Sequence, residues 1–282
     1  MRLRIRPEDY LGVFCLSDFS QSHPGPHSAS RSSPLATLAF RLLPAILALA
    51  AWELASRWSN WPPFLLPGPA DVASTFVQVV RDGSLQRHTA VTLLEVIVGL
   101  TLGSLLALGL AYPLARSRRA DRLLSPYIVA SQAVPTVAIA PLLVIWFGNG
   151  LLSKVLVCAL IVFFPVLVNT VVGLRSVPED LRDLMRSLRA TRWQVFRHLE
   201  VPSATPSLLG GLKIGATLSV IGAVVGEFVG AEAGLGFLIN QARGLYNTPL
   251  VFAALATLMT MALALYGLVA VVERLALAWR RR

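Results

Sequence analysis

An all-α polytopic membrane protein of about six transmembrane helices is what the sequence predicts, and three observations carry that prediction. Apolar residues come in runs: 91–111, 139–147 and 156–172 hold one charged side chain between them, Glu95. Runs of roughly 20 apolar residues match the ~30 Å hydrocarbon thickness of a bilayer. The 282-residue chain is 55% hydrophobic and only 14% charged, whereas a soluble globular chain has about 25% charged residues. Its basic residues also segregate. With spans at about 34–56, 88–115, 123–147, 153–174, 207–230 and 249–275 and the N-terminus inside, 20 of the 25 basic residues fall on one side. Positive charge resists translocation and favours the anionic inner surface. Both termini are therefore expected in the cytoplasm, and the net charge of +10 reads as a topology signal, not as a nucleic-acid footprint.

Residues 1–33 are polar, rich in Ser, Pro and His, and read as a disordered tail or an overextended gene start. Their apolar run, 10–16, is too short for a signal peptide core. The membrane-spanning body is expected over 34–282. Its first span holds Arg41, Pro44 and Glu53. The turn cluster Leu66-Pro67-Gly68-Pro69 follows, and Pro69 opens a short interfacial helix, with Val72, Ala73, Phe76, Val79 and Val80 at helical spacing. The second span carries Gly99, Gly103 and Gly109. The fifth carries Gly222, Gly226 and Gly230 on one face, where small residues let helices approach closely. Tight packing is the favoured role for these glycines and pore lining the lesser one.

The third span contains Pro126, Pro135 and Pro141 beside Ser131, Gln132 and Thr136. Proline frees backbone carbonyls, which in a membrane must face protein or water, so a kinked helix on a translocation path and one buried among neighbours both fit. Glu227, in the outer part of span five, is costly unless it faces protein or water; it is a pathway or gating candidate, or else a partner of a neighbouring helix. Glu95 invites the same reasoning, with solvation at the outer boundary as its alternative. The translocation-path candidates are thus Gln132, Pro135, Thr136, Asn169 and Glu227, with helix–helix bonding the competing role for Gln132 and Asn169.

The loop of about 175–206 is too polar for the membrane and too patterned for a linker. Ser176-Val177-Pro178-Glu179 reads as a capping box before an amphipathic helix with Leu181, Leu184, Met185 and Leu188 on one face. Thr191-Arg192-Trp193-Gln194 opens a second helix carrying Val195, Phe196 and Leu199, and Val201-Pro202 is expected to end it. The exposed apolar face needs a cytoplasmic partner.

On these residues the chain resembles the permeases of binding-protein-dependent ATP-binding-cassette importers. Their loop signature is Glu-Ala-Ala, a glycine four residues after the last alanine, and a distant Leu-Pro. The matching positions are Asp183-Leu184-Met185, Arg189 and Val201-Pro202, so the triplet and the turn glycine both depart from the pattern. If the turn needs a left-handed backbone, a non-glycine residue costs roughly 1–2 kcal/mol. The flanking text is more specific: Gln132-Ala133-Val134-Pro135-Thr136 through Leu143, Trp146-Phe147-Gly148, Phe163-Phe164-Pro165, Gly226-Glu227 and Gly234-Leu235-Gly236-Phe237 resemble the nitrate/sulfonate/taurine group. The stretch from Ile221 to Ala231 resembles permeases for thiamine-precursor pyrimidines or riboflavin. The resemblance covers about 60–278.

What it implies is a cytoplasmic coupling helix between helices four and five, offering Glu179, Asp180, Asp183, Leu184, Met185, Leu188, Arg189 and Ala190 to a cytoplasmic ATPase. It further implies a permease homodimer in the inner membrane and a periplasmic or lipid-anchored substrate-binding protein. ATP and Mg would be bound by the partner ATPase and no cofactor by this chain. Neither lysine, Lys154 or Lys213, follows a glycine, so a Gly-Lys-Ser/Thr phosphate loop is missing from the sequence. Nothing has metal-ligand spacing, and no nucleophile elbow occurs. Cys15 and Cys158 imply no disulfide framework. An ion-coupled secondary transporter is the alternative, disfavoured by scarce intramembrane carboxylates and the lack of an evident inverted repeat. A membrane-tethered DNA reader built on 181–199 is a third reading, disfavoured by its short tether.

Overall fold

The computed structural model describes residues 34–58, 62 and 64–278; the expected tail, 1–33, lies outside them. The described residues fall in two units, divided after residue 50. The described part of the first is helical, the beginning of α1 (Pro34–Trp58), on which the expected first span falls. The second unit opens with the last turns of that helix. There the Trp52 indole N–H donates to the Pro67 carbonyl at 3.1 Å, and its ring stacks on Phe252 with centroids 5.4 Å apart.

The short interfacial helix forms as α2 (Pro69–Arg81). Proline suits a first helical position, where an amide would have no partner. The core is a triple of long helices: α3 (Ser84–Arg116), α6 (Leu151–Arg175) and α9 (Val201–Gly230). Of these, α6 is central and packs along both α3 and α9. Glycine makes the packing close. A Cβ at Gly222 would lie 2.8 Å from the Cys158 Cα, and one at Gly226 would lie 3.1 Å from the Lys154 Cα. Gly222 and Gly226 are thus pressed against α6, while Gly230 faces Asn149 and Val144. Cys158, fully buried, directs its thiol at the Ser219 carbonyl, 3.3 Å away. α11 (Thr248–Ala276) lies against α9 and α2.

The third predicted span is not one helix. α4 (Arg118–Gln132) and α5 (Thr136–Phe147) meet at 93°, so the expected kink is a break. The break falls just before Pro135, which caps α5 in an extended conformation and gives no amide to the preceding turn. Against the six spans expected, four helices among the described residues are long and apolar enough to cross a membrane, or five if the bent pair counts as one. Many large apolar side chains on them face outward, including Leu105, Leu106, Met259, Leu263 and Leu268. Such a surface belongs in lipid or under a partner, not in water.

Two expectations for the loop are corrected. Ser176 does not cap the helix after it: its hydroxyl donates back to the Gly173 carbonyl at 2.9 Å, closing α6. The next helix, α7 (Glu179–Ser187), starts from Pro178. Nor does Val201-Pro202 end the second loop helix. α8 (Arg192–Val195) passes through a π turn, Phe196–Glu200, straight into α9. Pro202 has no amide to give the carbonyl one turn back. The widened turn absorbs that loss, with the Val201 amide reaching to the Phe196 carbonyl.

Candidate functional site

Chemistry-bearing side chains gather at the two ends of the bundle. At the loop end, α7 stands off with its apolar residues uncovered: Leu184 is 53% and Leu188 68% exposed, and Met185 is half-buried. The helix closes in a Schellman turn. The Arg189 amide donates to the Arg186 carbonyl at 2.9 Å and the Ala190 amide to that of Met185 at 3.0 Å, while Arg189 takes φ 51°. The left-handed turn anticipated from the motif is therefore present, with arginine in it. Thr191 then forms the expected capping box, accepting from the Gln194 amide at 3.3 Å while Gln194 accepts from the Thr191 amide at 2.8 Å.

Arginines hold this platform to the bundle. Arg175 donates to the Leu114 carbonyl at the end of α3 (2.8 Å) and pairs with Asp121 on α4 (2.9 Å). Arg182 donates to the Leu174 carbonyl at 3.1 Å, and Arg116 pairs with the buried Glu200 of the π turn at 3.3 Å. Cationic side chains on the last carbonyls of a helix also complement its dipole. Glu179, Asp180 and Asp183 are exposed on α7, Asp183 paired with Arg186. Under the π turn opens an apolar cavity of about 590 Å³ lined by Leu108, Tyr112, Thr170, Trp193, Phe196 and Leu208.

At the far end, α10 (Leu235–Gly244) begins against α3 and α9, and the amides its start leaves free are met by side chains. Gly234 N–H donates to His88 Nδ1 (3.0 Å) and Leu235 N–H to Thr92 Oγ1 (2.7 Å). Gly236 and Phe237 donate to the Glu227 carboxylate. The Thr92 hydroxyl in turn donates to Glu227 Oε1 at 2.6 Å. His88, accepting on Nδ1, carries its proton on Nε2 and stacks on Phe237 at 5.8 Å. This explains the Gly234-Leu235-Gly236 text: Gly234 has φ 121°, and a Cβ there would sit 2.2 Å from Glu227 Cδ. A carboxylate at a helix N-terminus is also favoured by the dipole.

Beside this clasp lies Glu95, 1% exposed, its Oε2 buried without a hydrogen-bond partner among the described residues. Lys154, 6% exposed, approaches its Oε1 to 3.9 Å. Glu95 is thus not at a solvated boundary, and Glu227 is bonded to a neighbouring helix, as one of its two expected roles required. Lys154, in the first turn of α6, joins them although nothing in the local sequence pairs it with Glu95.

The remaining path candidates do not converge with Glu227. Gln132 and Pro135 are exposed and Thr136 half-buried at the α4–α5 elbow. Asn169 lies on α6 against Gly211 of α9 and bonds the Pro165 carbonyl at 2.8 Å. Among the described residues, no group of three or more His, Cys, Asp or Glu side chains could hold a metal ion.

Comparison with known proteins gives this arrangement a family. Residues 99–277 match the model of the binding-protein-dependent transport system inner membrane component. The chain is 49% identical to a riboflavin transport system permease protein of Chloroflexus aurantiacus over 83% of this chain and 87% of that one. It is 35% identical to a formylaminopyrimidine transport permease protein of Halalkalibacterium halodurans, over 84% and 94%. In structure it is similar to a chain of an inward-facing methionine ABC transporter, with TM-score 0.59 and 21% identity over 66% of this chain and 93% of that one.

Proposed function

Because the chain belongs to the family of binding-protein-dependent transport system inner membrane components, and so is a multi-pass permease subunit of an ATP-binding-cassette importer in the inner membrane, we propose that α7 and its Schellman turn are where the partner ATPase drives it. One observation carries this reading: an apolar helix face, Leu184 to Leu188, left bare on a platform tied to the bundle by Arg182, which donates to the end of α6, and by the Arg116–Glu200 pair at the π turn. Exposed leucines on an otherwise polar loop need a groove to fill. Glu179, Asp180, Asp183, Leu184, Met185, Leu188, Arg189 and Ala190 form the contact. ATP and Mg are bound by the ATPase, this chain having no catalytic site or cofactor of its own. The loop end faces the cytoplasm with both termini, in keeping with the asymmetry of basic residues. The bare apolar flanks of the bundle suit a second copy of the chain, and a periplasmic or lipid-anchored binding protein serves the far end. Gln132, Pro135 and Thr136 at the elbow, with Asn169, line the path between two copies.

The cargo belongs to the flavin or aminopyrimidine class of hydrogen-bonding heteroaromatics, a reading supported by the two relatives named above and favouring riboflavin at 49% identity. Pull-down from detergent-solubilised membranes tests the docking: the ATPase co-purifies with the native chain and is lost with Leu184→Asp/Met185→Asp. Retention of the ATPase by the double variant overturns the assignment of the loop. Uptake of labelled riboflavin by a flavin auxotroph carrying the complete system tests the cargo; growth and uptake no better than the empty strain's reject it.

A further inference from the structure

We propose that the apolar cavity under the π turn and an arginine-lined cavity beside it form one site for an anionic phospholipid, with an acyl chain in the first and the headgroup phosphate in the second. The two cavities share Tyr112 and Arg192 in their walls. The first, about 590 Å³, lies between Leu108 of α3, Leu174 of α6 and Leu208 of α9. The second, about 550 Å³, is lined by Tyr112, Arg116, Arg182, Arg186 and Arg192. Both volumes fall within the ~300–1,000 Å³ typical of ligand pockets. Tyr112 meets Phe196 edge-on and Trp193 stacks on it, with centroids 5.3 and 5.6 Å apart. Tyrosine and tryptophan at such a junction of apolar and basic walls suit the headgroup level of a bilayer.

Charge complementarity selects the occupant. Glu200 compensates Arg116 at 3.3 Å and Asp183 compensates Arg186 at 2.7 Å. Arg182 and Arg192 have no acidic partner among the described residues. Arg182 gives one N–H to the Leu174 carbonyl, and its Nε has no partner. Guanidiniums gathered in one concave wall repel one another unless an anion joins them. A free anion answers the arginines and leaves the adjoining apolar cavity to water; a phospholipid suits both. The ATPase contact does not compete. Arg182 and Arg186 lie about 160° around α7 from Leu184 and Leu188, so the bare leucines face away from the lipid. The proposal rests on a cytoplasmic loop end only for which leaflet supplies the lipid.

Native mass spectrometry of the full chain with its ATPase, titrated in detergent with phosphatidylglycerol or phosphatidylcholine, tests it. Phosphatidylglycerol adducts form at a lipid concentration lower by about tenfold or more. Arg192→Gln, which breaks no side-chain bond within the described residues, weakens phosphatidylglycerol about fivefold and leaves phosphatidylcholine unchanged. Thr205→Trp fills the apolar cavity and weakens both lipids. Glycerol phosphate, which has the charge without the chains, does not displace the lipid. If Thr205→Trp does not fold, a phosphatidylglycerol with a mid-chain diazirine labels residues 108, 174 or 204–208 of the native chain. The ATPase is weighed in the same spectrum; if it is absent, the docking reading fails and the adducts are read on the chain alone. Equal binding of the two lipids, native affinity in Arg192→Gln or Thr205→Trp, displacement by glycerol phosphate, or labelling confined to other segments overturns the proposal.

Discussion

Replacing Arg189 by glycine is expected to stabilise the loop, because arginine occupies a left-handed turn that glycine adopts freely. Arg189 has φ 51°, a conformation costing a residue with a Cβ roughly 1–2 kcal/mol. Glycine relieves that strain but loses more backbone freedom on folding, about 0.5–1 kcal/mol. The Arg189 side chain is exposed and, among the described residues, makes no hydrogen bond or ion pair, so nothing else is lost within the chain. The balance favours Arg189→Gly by about 0.5–1 kcal/mol, a rise of about 1–4 °C in unfolding midpoint for a unit of this size. Thermal unfolding of the purified chain measures the first effect. ATPase activity of the reconstituted complex, stimulated by loaded binding protein, measures the second and is expected to stay level or rise. A lower midpoint would show that the turn is not strained. A higher midpoint with stimulation abolished would show that the guanidinium itself contacts the ATPase.

Two further outcomes follow from the packing. Gly222→Ala places a methyl 2.8 Å from the Cys158 backbone, where only displacement of α6 makes room; a loss of about 1–3 kcal/mol should appear in a denaturant titration of the detergent-solubilised chain. Lys213 and Glu273 pair between α9 and α11 with side chains 20% and 23% exposed. Lys213→Met should cost about 3 kcal/mol by leaving Glu273 uncompensated, and the exchange Lys213→Glu/Glu273→Lys should restore most of it in the same titration.

Much of this molecule was legible in its sequence wherever the signal was local. Apolar runs placed α3, α6 and α11 within a few residues of their ends, and the Thr191–Gln194 spacing foretold a cap whose bonds span three residues. The misses share a cause: a residue's partner was chosen by geometry the local sequence does not encode. Ser176 could cap forward or close the helix behind it, and proximity to Gly173 decided. Pro202 reads as a stop, yet a single widened turn lets the helix run through it. The clasp joins residues as far apart as His88 and Gly234, 146 positions along the chain, so the pattern showed Gly234-Leu235-Gly236 as a motif without showing the carboxylate that makes the glycines necessary.

The unbroken passage from α8 through the π turn into α9 has a mechanical meaning. Residues 192–230 form one helix of 39 residues, about 58 Å long at 1.5 Å per residue, nearly twice the ~30 Å apolar thickness of a bilayer. The rod is unbroken, and the places where it can bend are the π turn at 196–200 and Pro206. One end lies beside the left-handed turn of the loop and the other carries Glu227. Continuity of the helix means that a tilt imposed at Arg192 and not absorbed at those two points reaches the α10 clasp as a displacement.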